Sequence, residues 1–156
     1  MRDYADVVVK PPLLFGGALL LGCLLSWLIP FGPGLGSANG RALAAGATFA
    51  LLGLALGIAS IHALRQAGTT ERIGEGETKA MVESGPYRFT RNPIYIGLTL
   101  LYFGLAIMLT SEWMLVLLVP VLVILQRGVV MREEAYLTEK FGDAYKSYQA
   151  RVPRWL

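Results

Sequence analysis

The chain has 156 residues, the length of one domain, yet 54% of them are hydrophobic and the net charge is only +3, an apolar share too high for a soluble domain of this size. The bilayer is therefore its main solvent, and the small basic excess, with no supporting motif, speaks for anionic lipid headgroups and not for nucleic acid. A single cysteine and a single histidine exclude an intrachain disulfide and a multi-histidine centre, so no metal is assigned.

Charges leave four apolar runs: 13–40, 42–64 with only His62 titratable, 92–111 and 113–126. Each is to be weighed against the roughly 20 residues that cross about 30 Å of hydrocarbon. Pro11 and Pro12 cannot continue a helix from the polar start, so the first span is expected just after them, over about 13–29. It lacks a cationic region directly before it and a cleavage pattern after it, and is expected to stay in the protein. Cys23, in mid-span, reads as a packing residue.

The Gly/Pro-rich stretch FGPGLGSANG reads as a short extracytoplasmic loop. Span two, about 42–63, is rich in Ala and Gly, and Gly53 and Gly57 form a small-x-x-x-small pair that suits either packing within the chain or a dimer. Gly68 can close that helix. His62 near its end reads as an interfacial side chain satisfied by backbone or water. The polar stretch 69–84 reads either as a lid over a site or as a solvated linker.

Span three, about 93–109, has Asn92 as expected N-cap and Pro93 at the first helical position. The N–H groups of Ile94, Tyr95 and Ile96 are expected free, and such an end attracts a carboxylate or phosphate. The turn 110–112 is short enough only for an antiparallel hairpin. Span four, about 113–130, carries Pro120 in its middle, where a kink is expected, and Arg127 near headgroup level. Leu137, Phe141, Tyr145 and Tyr148 recur at helical spacing, which predicts one amphipathic cytoplasmic helix that Gly142 loosens. The distribution of Lys and Arg places both termini and the second loop in the cytoplasm.

The expected fold is thus all-α: one polytopic membrane domain, 1–156, with about four transmembrane helices and a C-terminal amphipathic helix. Two polar pieces meet its cytoplasmic face. One is GPYRFTRNPIYIG, with Arg88 and Arg91 beside the helix start; the other is the pair Glu133 and Glu134. Such a combination suits a zwitterion, its carboxylate on amides or arginine and its ammonium on Glu. The methionine end of S-adenosylmethionine is one, and the faces of Tyr87, Tyr95 or Tyr145 would suit its sulfonium. The bland alternative is an interfacial ion-pair set, Glu133 and Glu134 pairing with Arg132, Lys140 or headgroups.

The run GPYRFTRNPIYIG, followed by REEAYLTEKFGDAYKSYQARVP, resembles the superfamily of isoprenylcysteine carboxyl methyltransferases and phospholipid methyltransferases. The resemblance covers 85–153, and the ALRQAGTT segment after span two looks like the bacterial members. It implies an integral, multi-pass protein of a bacterial-type plasma membrane that uses S-adenosylmethionine and takes a lipophilic acceptor from the bilayer. By the matching motifs, Gly85, Pro86 and Tyr87 form the turn, Arg91, Asn92 and Pro93 the Arg-His/Asn-Pro element, and Tyr95 and Gly97 the Tyr-x-Gly. Glu133 and Glu134 match the paired glutamates, and Phe141, Gly142, Tyr145 and Tyr148 the aromatic tail. The implied cofactor set is therefore Tyr87, Arg88, Arg91, Asn92, Pro93, Ile94, Tyr95, Gly97, Glu133 and Tyr145.

Two departures concern the acceptor. Asn92 stands where prenylcysteine enzymes often carry His, and Val129 where they carry an arginine one turn before the first Glu; Arg127 and Arg132 are the nearest replacements. An amine acceptor needs a base, Glu133 or Glu134, and a carboxylate acceptor needs a cation, Arg127 or Arg132. These four residues are the catalytic candidates, with one glutamate expected on the cofactor ammonium and the other assisting the acceptor. Amine, carboxylate and thiol acceptors stay open, as does oligomerisation. The rival readings are an NADPH-dependent membrane reductase of the sterol-reductase type and a non-catalytic membrane assembly subunit.

Overall fold

The computed structural model describes residues 6–29, 39–68 and 80–156, all of their regular structure helical. The expected extracytoplasmic loop, except its last two residues, and the 69–79 part of the lid-or-linker stretch lie outside the described residues. Helix α1 spans Pro11–Leu28 and starts at the prolines themselves, two residues earlier than expected. A proline's fixed φ and missing N–H suit the first turn, where that N–H has no partner in any case. Helix α2, Gly40–Gln66, is capped by Asn39, whose side-chain oxygen accepts from the Ala42 N–H at 2.9 Å. It ends before Gly68, which adopts φ +68°.

Helix α3, Pro93–Met108, packs antiparallel along α2. Small residues allow the two backbones to touch: a Cβ on Gly53 would lie 2.5 Å from the Gly97 carbonyl oxygen, and one on Gly104 would lie 2.5 Å from the Gly46 carbonyl oxygen. The Gly53 position is therefore occupied by contact within the chain. A turn with Thr110 at φ +48° leads into α4, Glu112–Leu125. Ser111 caps α4 by accepting from the Met114 N–H, and its hydroxyl also bonds Ser26 of α1 at 2.7 Å.

Helix α4 runs on past Pro120, through a π-helical turn at Gln126–Val130, into α5, Met131–Phe141. The whole rod of 30 residues is about 45 Å long at 1.5 Å per residue, more than the ~30 Å hydrocarbon layer. Its apolar part ends at the π turn, so α5 with Glu133 and Glu134 stands outside the span. By length and apolarity α1, α2 and this rod each suffice to cross a membrane. The apolar helix α3, at 16 residues, is about 24 Å long.

The core between α1, α3 and α4 holds Phe15, Tyr102, Ala106, Met114, Val121 and Leu125. Leu20, Trp27, Leu51, Ile58 and Val119 point outward, as side chains bathed in acyl chains do. The expected single C-terminal helix is two. Gly142 takes φ +55° and separates α5 from α6, Asp143–Arg151, because a residue in that conformation ends a helix. Leu137, Phe141, Tyr145, Tyr148 and Val152 nevertheless share one cluster, closed by Met81.

Candidate active site

The turn Gly85–Arg88 is a short 3-10 helix that Gly85 enters at φ +58°. The Tyr148 hydroxyl donates to the Tyr87 carbonyl at 2.7 Å and so docks α6 on this turn. Beyond it, the chain ahead of α3 is stitched to the residues after α6. The Arg91 N–H donates to the Pro153 carbonyl at 3.0 Å, and the Arg154 carbonyl accepts from Thr90 Oγ1 at 3.1 Å and Asn92 Nδ2 at 3.0 Å.

Asn92 stands at the N-cap position of α3, but its side chain does not cap the helix. It is turned to Arg154 instead, where the incoming C-terminal segment offers a part-buried carbonyl that takes a second donor besides Thr90. The Tyr95 and Ile96 N–H groups both donate to the Asn92 carbonyl at 3.1 Å. The helix tip is thus less open to an anion than the sequence suggested, since two of its three expected free donors are satisfied. Pro93 is buried in the first turn.

Successive residues on a helix diverge by about 100°, and the two glutamates accordingly meet different partners. Glu133 faces α3, where the Tyr95 hydroxyl donates to both its oxygens, at 2.8 and 2.9 Å. Burial pushes its carboxyl up from 4.5 to about 7; the Tyr95 bond pulls the other way and the charge of Glu134 adds to the rise. Glu134 is buried and gripped in a fork by Arg154, Nε to Oε1 at 2.9 Å and Nη2 to Oε2 at 2.6 Å. Arg91 Nη1 lies 2.9 Å from the same Oε1. Neither that nitrogen nor Arg91 Nε, both buried, is aligned to make a hydrogen bond among the described residues.

Aromatic side chains wall this cluster. Tyr145 is buried beside Arg91 and Glu134, and its ring centroid lies 6.0 Å from that of Tyr148. Burial raises the Tyr145 phenol, with Glu134 adding and Arg91 opposing. Burial likewise raises Tyr87, helped by the nearby Tyr148 and Glu133. Neutral phenols lining two carboxylates and two guanidiniums make a site that can hold opposite charges a few ångströms apart.

Arg91, Asn92, Tyr95, Glu133, Glu134 and Tyr145 therefore converge, and Tyr87 stands at the edge of the group. Arg88 and Arg127 are exposed. Arg132 is exposed as well and donates to the Asp6 carbonyl at 3.0 Å, away from the carboxylates. Gly97 lies in the α2–α3 contact, where a Cβ would meet the Gly53 carbonyl at 2.8 Å, so packing accounts for it. His62 is exposed, with Gln66 at 3.0 Å. No cluster of three or more potential metal ligands occurs among the described residues. Arg154 was not foreseeable: it lies 20 residues after Glu134, and only the reversal at Gly142 brings it back.

Residues 42–144, more than half of the chain, match the family model described as phospholipid methyltransferase. The protein-S-isoprenylcysteine O-methyltransferase of Schizosaccharomyces pombe is 33% identical over 73 residues, 47% of this chain and 31% of the yeast protein. The chain thus covers about a third of that relative's length. An uncharacterized protein of Haemophilus influenzae is 30% identical over 63 residues, 40% of this chain and 100% of its own length. No solved structure matches the chain. With its apolar helices and a family match over more than half its length, the chain belongs to the phospholipid methyltransferase family of multi-pass membrane proteins.

Proposed function

We propose that the protein transfers a methyl group from S-adenosylmethionine to a lipid or other hydrophobic small molecule at the cytoplasmic membrane face. The observation that carries this reading is a buried cluster in which Glu133, held by Tyr95, stands next to Glu134 and its ion partner Arg91, whose buried Nε has no hydrogen-bond partner among the described residues. A guanidinium with an unfilled donor suits a carboxylate, and a second carboxylate in the same cluster, Glu133, suits an ammonium, so the residues present fit the amino-acid end of this cofactor. When bound, the cofactor supplies an electrophilic methyl on a sulfonium.

The chain's own contribution is alignment and exclusion of water. Tyr95 holds both Glu133 oxygens, fixing the direction in which the carboxylate presents its charge. Tyr87 and Tyr145 enclose the site in aromatic surface and offer their faces to a cation. Holding two reactants in line in such a setting supplies a large part of the acceleration in a displacement that needs no covalent intermediate. Arg127 and Arg132, both exposed on the rod, are the cations that would serve an anionic acceptor.

Incubation of the purified protein in lipid nanodiscs with methyl-labelled S-adenosylmethionine and a membrane lipid extract should yield a labelled lipophilic product by mass spectrometry. No label above that of the Glu133→Ala, Asn92→Ala double variant overturns the proposal. The topology has its own test. In a Cys23→Ala background, cysteines introduced at Glu75 and Lys140 should react from the cytoplasmic side only, and one at Ser37 from the opposite side only. Labelling of 75 and 140 from opposite sides would break the one-face site.

A further inference from the structure

Arg154 and Glu134 form a device distinct from the Glu133 wall. Arg154 engages Glu134 with two nitrogens on two oxygens, at 2.9 and 2.6 Å. Its backbone carbonyl is pinned by Thr90 and Asn92, and the next residue, Trp155, donates from Nε1 to Gln126 Oε1 at 3.1 Å. The segment is therefore fastened both to the start of α3 and to the π turn. Arg91, on the other side of Glu134, approaches only one oxygen and forms no aligned hydrogen bond with it.

Left to itself, an arginine beside a carboxylate forms the two-bond fork, the geometry in which the pair is strongest. Arg154 already occupies that fork. The relative side-chain exposures, 11% for Arg91, 10% for Glu134 and 36% for Arg154, show a carboxylate shared between a buried cation and a more accessible one. The more accessible cation has the better hydrogen bonds, which is the reverse of what burial alone would favour.

We infer that Arg154 is a positioning residue: by taking both oxygens of Glu134 it limits Arg91 to a single contact with that carboxylate, denies it the two-bond fork, and keeps Arg91 Nε available for the carboxylate of an amino-acid ligand. Glu134 in this arrangement holds Arg91 in place and does not act on the methyl acceptor. The inference rests on the S-adenosylmethionine reading above and adds to it a residue at the C-terminal end of the chain that acts through another. Competition between two guanidiniums for one carboxylate makes the sign of a second substitution predictable, which a purely structural role for Arg154 does not.

The test is binding of S-adenosylhomocysteine to detergent-solubilised full-length protein by calorimetry, well below each variant's Tm. Arg154→Met should weaken binding about tenfold, the change expected from one charge-assisted hydrogen bond, because Glu134 turns fully onto Arg91. Arg154→Lys, which keeps the charge without the fork, should fall between. Adding Glu134→Gln to Arg154→Met should recover most of the lost affinity, since a neutral amide competes poorly for Arg91. Arg154 variants that bind like wild type, or a double variant that binds no better than Arg154→Met, overturn the inference while wild-type binding upholds the cofactor reading. If Arg154→Met does not fold, Arg154→Lys and Arg154→Lys with Glu134→Gln give the same comparison. No binding by the wild type overturns the cofactor reading itself, and this inference with it.

Discussion

Glu133→Gln is expected to stabilise the ligand-free protein above pH 7 and, in the same preparation, to reduce its stabilisation by S-adenosylhomocysteine. The two effects have opposite signs because they draw on the same carboxylate. In the folded protein the Glu133 pKa is raised from 4.5 to about 7, chiefly by burial. Between those values the unfolded chain binds fewer protons than the folded one, so stability falls as pH rises from 4.5 through about 7. The neutral amide removes that loss. The same carboxylate must be ionised to hold an ammonium, so wild-type affinity should rise with pH up to about 7 and then level, changing about tenfold per pH unit on the acid side.

In Glu133→Gln the affinity should be about ten- to a hundredfold lower near neutral pH, the range for a lost charged hydrogen bond, and flat with pH. Tyr95→Phe gives an independent reading. Its hydroxyl is the one contact that pulls the Glu133 pKa down, so its removal should move the binding midpoint to higher pH. Thermal unfolding in detergent with and without ligand, over a series of buffers, measures all three proteins. A Glu133→Gln protein that keeps the wild-type ligand shift would remove Glu133 from the site.

Gly104→Ala and Gly53→Ala should each lower the Tm by about 2 to 12 °C, as overpacking of about one to three kcal/mol does in a domain of roughly this size. At both positions a Cβ meets backbone: 2.5 Å to the Ala50 nitrogen and Gly46 oxygen at Gly104, and 2.5 Å to the Gly97 oxygen and 2.6 Å to the Leu101 nitrogen at Gly53. Backbone atoms of two packed helices have no rotamer in which to retreat. Gly57→Ala is the control. Nothing lies within 4 Å of its Cβ position, and alanine is the better helix former, so its Tm should stay or rise slightly. Equal losses at all three positions would mean that α2 and α3 do not meet as described. The same contact sets the height of Tyr95 at the rim, since Gly97 sits two residues further along α3.

Much of this architecture was legible from the chain because the forces that set it are local or one-dimensional. Uncharged runs, Pro11 and Pro93 at helix starts, Gly68 at a helix end and the short turn at 110–112 act through nearest neighbours and through hydrocarbon thickness. Those forces placed α1 to α4 and brought the Asn92 rim and the Glu133–Glu134 pair to one end. Contacts between distant segments were not legible. The sequence shows Gly53 and Gly57 as equivalent members of one pattern, but only the crossing of α2 on α3 puts Gly53 against backbone and leaves the Gly57 Cβ position open.

Asn92 illustrates the same limit within the site. By propensity it is a cap, yet its side chain serves the Arg154 carbonyl beside Thr90, a partner that only the returning C-terminal segment supplies. Which glutamate faces tyrosine and which faces arginine was decided by the roughly 100° step between successive helical residues, and by the turn at Gly142 that returns Arg154 to Glu134. Hydrophobic run length and helix-end chemistry were enough to determine a membrane bundle with a polar rim. The partners of each charge at that rim depended on tertiary structure, since hydrogen-bond geometry is set by where two distant backbones come to rest.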